Sequence, residues 1–149
     1  MQKVIIYTDG ASRNNPGEAG AGAYITDGEG KMLKECRQAL GIATNNFAEY
    51  QAIILGLESV KKMLGEAKAK QTEVEVRMDS ELAQRQLTGV YQVKEPTLWP
   101  QFMKIWNLKV ASFPHVKFVH IPREKNTEAD RLSNEAIDGV PEISKTLFV

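Results

Sequence analysis

The hydrophobic period of this chain switches from two to about 3.6 and back to two, and few folds accommodate that switch. Val4-Ile5-Ile6-Tyr7 is a β-branched and aromatic run closed by Thr8-Asp9-Gly10, and Asn14-Asn15-Pro16-Gly17 is a strong turn signal. Residues 21–26 and 32–39 read as two more strands around Asp27-Gly28-Glu29-Gly30, whose glycines are expected to supply the positive φ angles of a hairpin turn. Three strands joined in this way predict an antiparallel meander.

From Asn46 onward Phe47, Ile53, Ile54, Leu57, Val60, Met63 and Leu64 recur at helical intervals, with Asn45 or Asn46 as N-cap and Gly65 beyond the last turn. Glu73-Val74-Glu75-Val76-Arg77-Met78-Asp79 then alternates strictly, so a parallel strand after a helical crossover is expected. Ser80 caps a short helix ending near Gly89, and residues 98–110 are apolar at helical spacing. Residues 116–121 form a fifth strand, and Asn126 caps a last helix carrying Ala129, Leu132, Ala136 and Ile137. The order βββαβααβα is an α/β arrangement, expected as one domain over residues 1–140 with 141–149 as a C-terminal tail.

A chain of 149 residues, 42% hydrophobic and 26% charged, suffices for one core without disulfide or metal staples. Lysine plus arginine equals aspartate plus glutamate at 19 each, so any nucleic-acid site must be local. The single cysteine, Cys36, excludes an internal disulfide and a cysteine-based zinc site; it reads as strand packing in a protein of a reducing compartment. The first apolar run reaches a charge too soon for a secretory or membrane-spanning segment, and the protein is expected to be cytoplasmic with no membrane partner.

Four acids stand out by position. Asp9 ends the first strand and Asp79 the fourth, so their carboxylates emerge side by side if those strands are neighbours. Glu49 falls in the first turn of the long helix and Asp130 in the first turn of the last, where the helix dipole alone accounts for an acid. Taken singly, each has a structural explanation. Together at one spot they would repel unless hard cations neutralise them, and Mg²⁺ favours oxygen ligands. With no cysteine cluster, two histidines and no serine–histidine signature, hydrolysis here would run through a metal-activated water.

These residues resemble a known family. Tyr7-Thr8-Asp9-Gly10-Ala11-Ser12-Arg13-Asn14-Asn15-Pro16-Gly17 is similar to the first motif of type 1 ribonuclease H, and Thr44-Asn45-Asn46-Phe47-Ala48-Glu49-Tyr50 to the second. Met78-Asp79-Ser80-Glu81-Leu82 is similar to the third, and residues 122–130, ending in Asp130, to the fourth. The resemblance implies a ribonuclease H-like α/β fold: a five-stranded mixed sheet in order 3-2-1-4-5 with helices on both faces. It also implies an endonuclease that cuts the RNA strand of RNA–DNA hybrids with two Mg²⁺ ions, for which Mn²⁺ is a substitute, leaving 5′-phosphate and 3′-hydroxyl ends. Asp9, Glu49, Asp79 and Asp130 would be both catalytic and metal-binding, with Glu49 also touching the 2′-hydroxyl that tells RNA from DNA. Ser12, Asn15, Thr44, Asn45, Asn46, Ser80 and Arg123 would contact substrate, although turn and cap chemistry explains several of them equally. A monomer is expected, and duplex RNA is a further candidate substrate.

The chain departs from the family pattern in three places. The loop before the last helix lacks the histidine that many relatives carry, and His120 falls in the fifth strand, where it reads as structural. Residues 89–100 hold only Lys94 as a base, where some relatives insert a basic, tryptophan-bearing segment; Trp106 reads as core. Ile42 stands where some relatives place an arginine, so weaker hybrid binding is expected. The rival readings are a DNA-directed nuclease of the same superfamily, a noncatalytic hybrid-binding module, and a structural α/β domain with scattered acids.

Overall fold

A computed structural model describes residues 1–139. The expected 140/141 boundary and the tail lie outside the described residues. Strands β1 (Lys3–Arg13), β2 (Gly17–Asp27) and β3 (Met32–Ala43) form the antiparallel meander, followed by α1 (Asn45–Leu64), α2 (Glu66–Lys70), β4 (Glu73–Met78), α3 (Glu81–Leu87), α4 (Trp99–Ser112), β5 (Val116–His120) and α5 (Thr127–Ile137). The five strands make one sheet in the order β3-β2-β1-β4-β5. β4 lies parallel to β1 and to β5.

Strand β1 does not stop at Asp9. It runs on to Arg13, because Gly10 to Arg13 keep pairing with β2, whereas the parallel pairing with β4 ends at Thr8↔Met78. Asp9 therefore sits in mid-strand, at the point where its neighbour on one side has ended. The α1 N-cap is Thr44 rather than either asparagine: its side chain accepts the Phe47 N–H at 3.1 Å, leaving both asparagine side chains to point elsewhere. Only Gly30 of the β2–β3 turn has positive φ; the rest of that turn is held by the Asp27 carboxylate, which accepts from the N–H groups of Glu29 and Lys31. The five-residue α2 escaped the sequence reading because one buried residue, Ala69, gives no periodicity.

Ile53, Ile54, Leu57 and Val60 on α1 pack with Val4, Ile6, Ala23, Ile25, Val74 and Val76 of the sheet into the main core. Cys36 joins that core, as expected. Helix α5 covers the other face: a Cβ on Gly22 would lie 2.6 Å from Ala129 O, whereas the adjacent Ala23 faces Gly56 of α1. Successive strand residues point to opposite faces, so helices flank the sheet on both sides. Helix α4 packs on α1 through Gln101, Ile105 and Ser112. Trp106 is not core: it lies on the opposite side of α4 and is 51% exposed, because 106 is out of phase with the buried 101–105–112 stripe. His120 does end β5, but its side chain is exposed rather than packed.

Candidate active site

The Thr8↔Met78 register places the next residue of each chain segment, Asp9 and Asp79, side by side on the same face. Glu49 arrives from α1, and a glycine makes its approach possible. A Cβ on Gly10 would sit 2.1 Å from the Ala48 carbonyl carbon and 2.3 Å from Glu49 N, so only glycine lets the helix backbone touch the strand here. The Gly10 N–H then donates to Glu49 Oε1 at 3.2 Å. One oxygen each of Asp9, Glu49 and Asp79 falls within a 4.8 Å group. Asp130 lies outside that group but lines the same cleft of about 380 Å³. Glu49 is the fifth residue of α1, beyond the first turn, so dipole complementarity does not explain it.

Burial and mutual repulsion set the charge state of this cluster. Burial pushes the Asp9 carboxyl up to about 7, opposed by its hydrogen bond with Glu49 and reinforced by the charges of Asp79 and Asp130. Burial, followed by the Asp9 charge, pushes Glu49 well above the usual carboxylate range. Glu49 Oε2 is buried with no hydrogen-bond partner among the described residues. A buried acceptor without a donor, beside two more carboxylates, is what a hard divalent cation would satisfy, and the all-oxygen donor set suits such an ion rather than zinc.

Asn45, Asn46, Ser80 and Arg123 line the cleft as well. Ser12, Asn15 and Thr44 do not line it; they build its rim. Asn45 N–H donates to Asn15 Oδ1 at 2.9 Å, Ser12 N–H donates to Asn45 Oδ1 at 2.8 Å, and the Ser12 hydroxyl donates to Ala43 O at 2.7 Å. The β1–β2 turn is thereby fixed to the start of α1. Ser80 accepts from Ala83 N–H as the α3 N-cap.

Asn126 has a role in the site beyond the helix cap expected of it. It occupies the α5 N-cap position but makes no side-chain cap bond. Its fully buried amide donates to Thr8 O at 2.9 Å and to Asp79 Oδ2 at 3.1 Å, tying β1 to the Asp79 carboxylate. Its place one helical turn ahead of Asp130 was the available signal. Asn126→Ala is expected to lower cleavage roughly 10-fold and to raise the divalent-cation concentration needed for half-maximal rate by about 10-fold or more. A purely structural role would lower the melting temperature and leave that metal requirement unchanged.

A mixed sheet in this order, flanked by helices, with three acids gathered where β1 outruns β4, is the ribonuclease H fold. The family model described as reverse transcriptase-like matches residues 7–136. The chain is 56% identical to LC11-RNase H1, isolated from compost by a metagenomic approach, with a TM-score of 0.87 over 93% of this chain and 98% of that one. The structure of LC11-RNase H1 in complex with RNA/DNA hybrid matches at 54% identity and a TM-score of 0.87, over 91% of this chain and 97% of that one. The bifunctional protein Rv2228c of Mycobacterium tuberculosis is 42% identical over 91% of this chain, which spans only 36% of that protein's length. The ribonuclease HI of Halobacterium salinarum is 38% identical over 91% of this chain and 65% of its own. The chain belongs to the type 1 ribonuclease H family.

Proposed function

We propose that this protein is an endonuclease that hydrolyses the RNA strand of RNA–DNA hybrids. The observation that carries the reading is the Asp9–Glu49–Asp79 cluster, whose buried Glu49 Oε2 has no hydrogen-bond partner among the described residues. The likeness to LC11-RNase H1, solved with an RNA/DNA hybrid, supplies the substrate class. Asp9, Glu49, Asp79 and Asp130 would hold two Mg²⁺ ions, with Mn²⁺ as a substitute. When bound, such ions neutralise the phosphate and favour the hydroxide form of water. In the overall reaction water adds to phosphorus and the P–O3′ bond breaks, leaving a 5′-phosphate and a 3′-hydroxyl.

The chain's own groups do the positioning. Asn126 orients Asp79, and Gly10 N–H orients Glu49. Arg123, whose guanidinium has no ion pair among the described residues, faces the cleft and would meet a phosphate bidentately. Asn45 and Asn46 would lie along the sugar–phosphate backbone, reading shape rather than sequence. All of these groups come from one chain, which supports action as a monomer. No helix among the described residues is long and apolar enough to cross a membrane, and a cytoplasmic site of action, with the buried thiol of Cys36 kept reduced, fits this reading.

The test is the chemistry of the new ends. Cleavage of a hybrid must leave 5′-phosphate on the downstream RNA fragment; a 2′,3′-cyclic phosphate would mean that the 2′-hydroxyl attacked, and the reading would fall. Affinity carries its own prediction. Ile42 is 73% exposed near the end of β3. Ile42→Arg is expected to lower KM several-fold and to steepen the salt dependence of binding by about one log unit per log unit of salt, as one added phosphate contact requires.

A further inference from the structure

The three clustered acids come from three different elements, and each pair has to be held together against mutual repulsion. The β1–β4 register fixes Asp9 beside Asp79. The close approach of Gly10 to α1, with its N–H bond, fixes Glu49 beside Asp9. The third side of this triangle runs from α1, which carries Glu49, to α3, whose N-cap Ser80 directly follows Asp79. Among the described residues one hydrogen bond joins those two helices: the hydroxyl of Tyr50, the neighbour of Glu49 in sequence, donates to Gln86 Oε1 at 2.6 Å. Both side chains are buried, Tyr50 at 1% and Gln86 at 7% exposure. Helix α3 is anchored in turn to the sheet, since Gln84 Nε2 donates to Phe118 O of β5 at 3.0 Å, and β5 pairs with the strand that leads into Asp79. The Tyr50–Gln86 bond therefore ties the turn bearing Glu49 to the sheet segment bearing Asp79.

Core packing alone does not call for this pair. An aromatic and an unbranched apolar side chain would fill the same space without the cost of burying a phenol and an amide, and removing both partners of a buried hydrogen bond is close to neutral for stability. What an apolar pair cannot do is fix direction. A short, buried hydrogen bond sets both the distance and the orientation of one helix against the other, and the low dielectric around it makes it stiff. Neither residue lines the catalytic cleft, so neither meets metal or phosphate itself. We propose that Tyr50 and Gln86 are positioning residues for the metal centre: their bond holds the Glu49 turn of α1 against the helix that follows Asp79, keeping the two carboxylates gathered for one divalent cation. The proposal rests on the reading of Asp9, Glu49 and Asp79 as a divalent-cation site.

The experiment measures binding of Mg²⁺ and of Mn²⁺ to the whole protein, by calorimetric titration and by the rise in melting temperature, for wild type, Tyr50→Phe, and Tyr50→Phe combined with Gln86→Met. Tyr50→Phe leaves the Gln86 carbonyl buried without its donor and should melt roughly 4–8 °C lower than wild type in EDTA. The double variant removes both partners and should melt within about 4 °C of wild type. Both are nevertheless expected to bind either cation about tenfold more weakly, and to need about tenfold more metal for half-maximal hybrid cleavage, with the rate at saturating metal within about threefold of wild type. A merely structural pair would behave otherwise: metal affinity would follow the melting temperature and return in the double variant. Wild-type cation affinity in the double variant, beside clear binding by the wild-type protein, would overturn this proposal alone. Failure of the wild-type protein itself to bind either cation would overturn the cluster reading and this proposal with it.

Discussion

Replacing Asp9 by asparagine is expected to abolish hybrid cleavage and, in the metal-free protein, to raise stability. The loss of rate should reach on the order of 10³-fold or more, about 4 kcal/mol of barrier, because the variant lacks the charge at the centre of the cluster. The gain in stability follows from burial. Asp9 is 6% exposed and its carboxyl is pushed up to about 7 from an ordinary 3.8. Below about pH 4 the group is protonated in both the folded and the unfolded chain and contributes nothing to pH dependence. As pH rises through the window from 3.8 to about 7, the unfolded chain releases its proton first, so folding becomes progressively less favourable, fully so above 7. The neutral asparagine escapes this loss. Thermal melts in EDTA should therefore show the variant more stable than wild type near pH 8, by about 2 kcal/mol and roughly 4–8 °C, with the two converging near pH 4. Added Mg²⁺ should raise the wild-type melting temperature and leave the variant's nearly unmoved. A variant less stable than wild type at pH 8 without metal would show that the cluster is not electrostatically frustrated.

Gly10→Ala should be severely damaging to both the fold and the site. The added carbon would lie 2.1 and 2.3 Å from the carbonyl carbon and oxygen of Ala48, and all its nearest neighbours are backbone atoms that cannot rotate away. The first turns of α1 must move off β1, carrying Glu49 away from Asp9 and stretching its bond to the Gly10 N–H. A destabilisation of roughly 3 kcal/mol, or about 6–12 °C in melting temperature, is expected, together with loss of most activity in the fraction that folds. Chemical denaturation with parallel rate measurements checks both. A fully active variant within 1 °C of wild type, a margin set by about the precision of such melts, would mean that the helix can slide at little cost.

How much of this was legible beforehand depended on whether the information was local. The strands and long helices announced themselves through period, and the Asp9–Asp79 juxtaposition followed once β1 and β4 were placed as neighbours. Contacts between distant segments left no such trace. Nothing in the sequence around Gly10 says that Ala48 will press against it, and the glycine reads equally well as a turn residue. The bond of Asn126 to Asp79 across the sheet edge stayed hidden because an asparagine before a helix has a sufficient local use, N-capping. Thr44 took the cap that its neighbours Asn45 and Asn46 were expected to fill, leaving Asn45 to bridge Ser12 and Asn15. Trp106 went wrong for a different reason: α4 is apolar on more than one side, so spacing alone does not say which side is buried.

The most direct measurement is cleavage of three end-labelled duplexes of one sequence, RNA–DNA hybrid, duplex RNA and duplex DNA, by wild-type protein and Asp9→Asn in Mg²⁺, Mn²⁺ or EDTA. Cutting of the hybrid's RNA strand in either metal, absent in EDTA and in the variant, with the DNA duplex untouched, is the predicted result; cutting of duplex RNA as well would widen the substrate range without moving the site. Cleavage of duplex DNA, or hybrid binding with no cleavage under any metal condition, would contradict it.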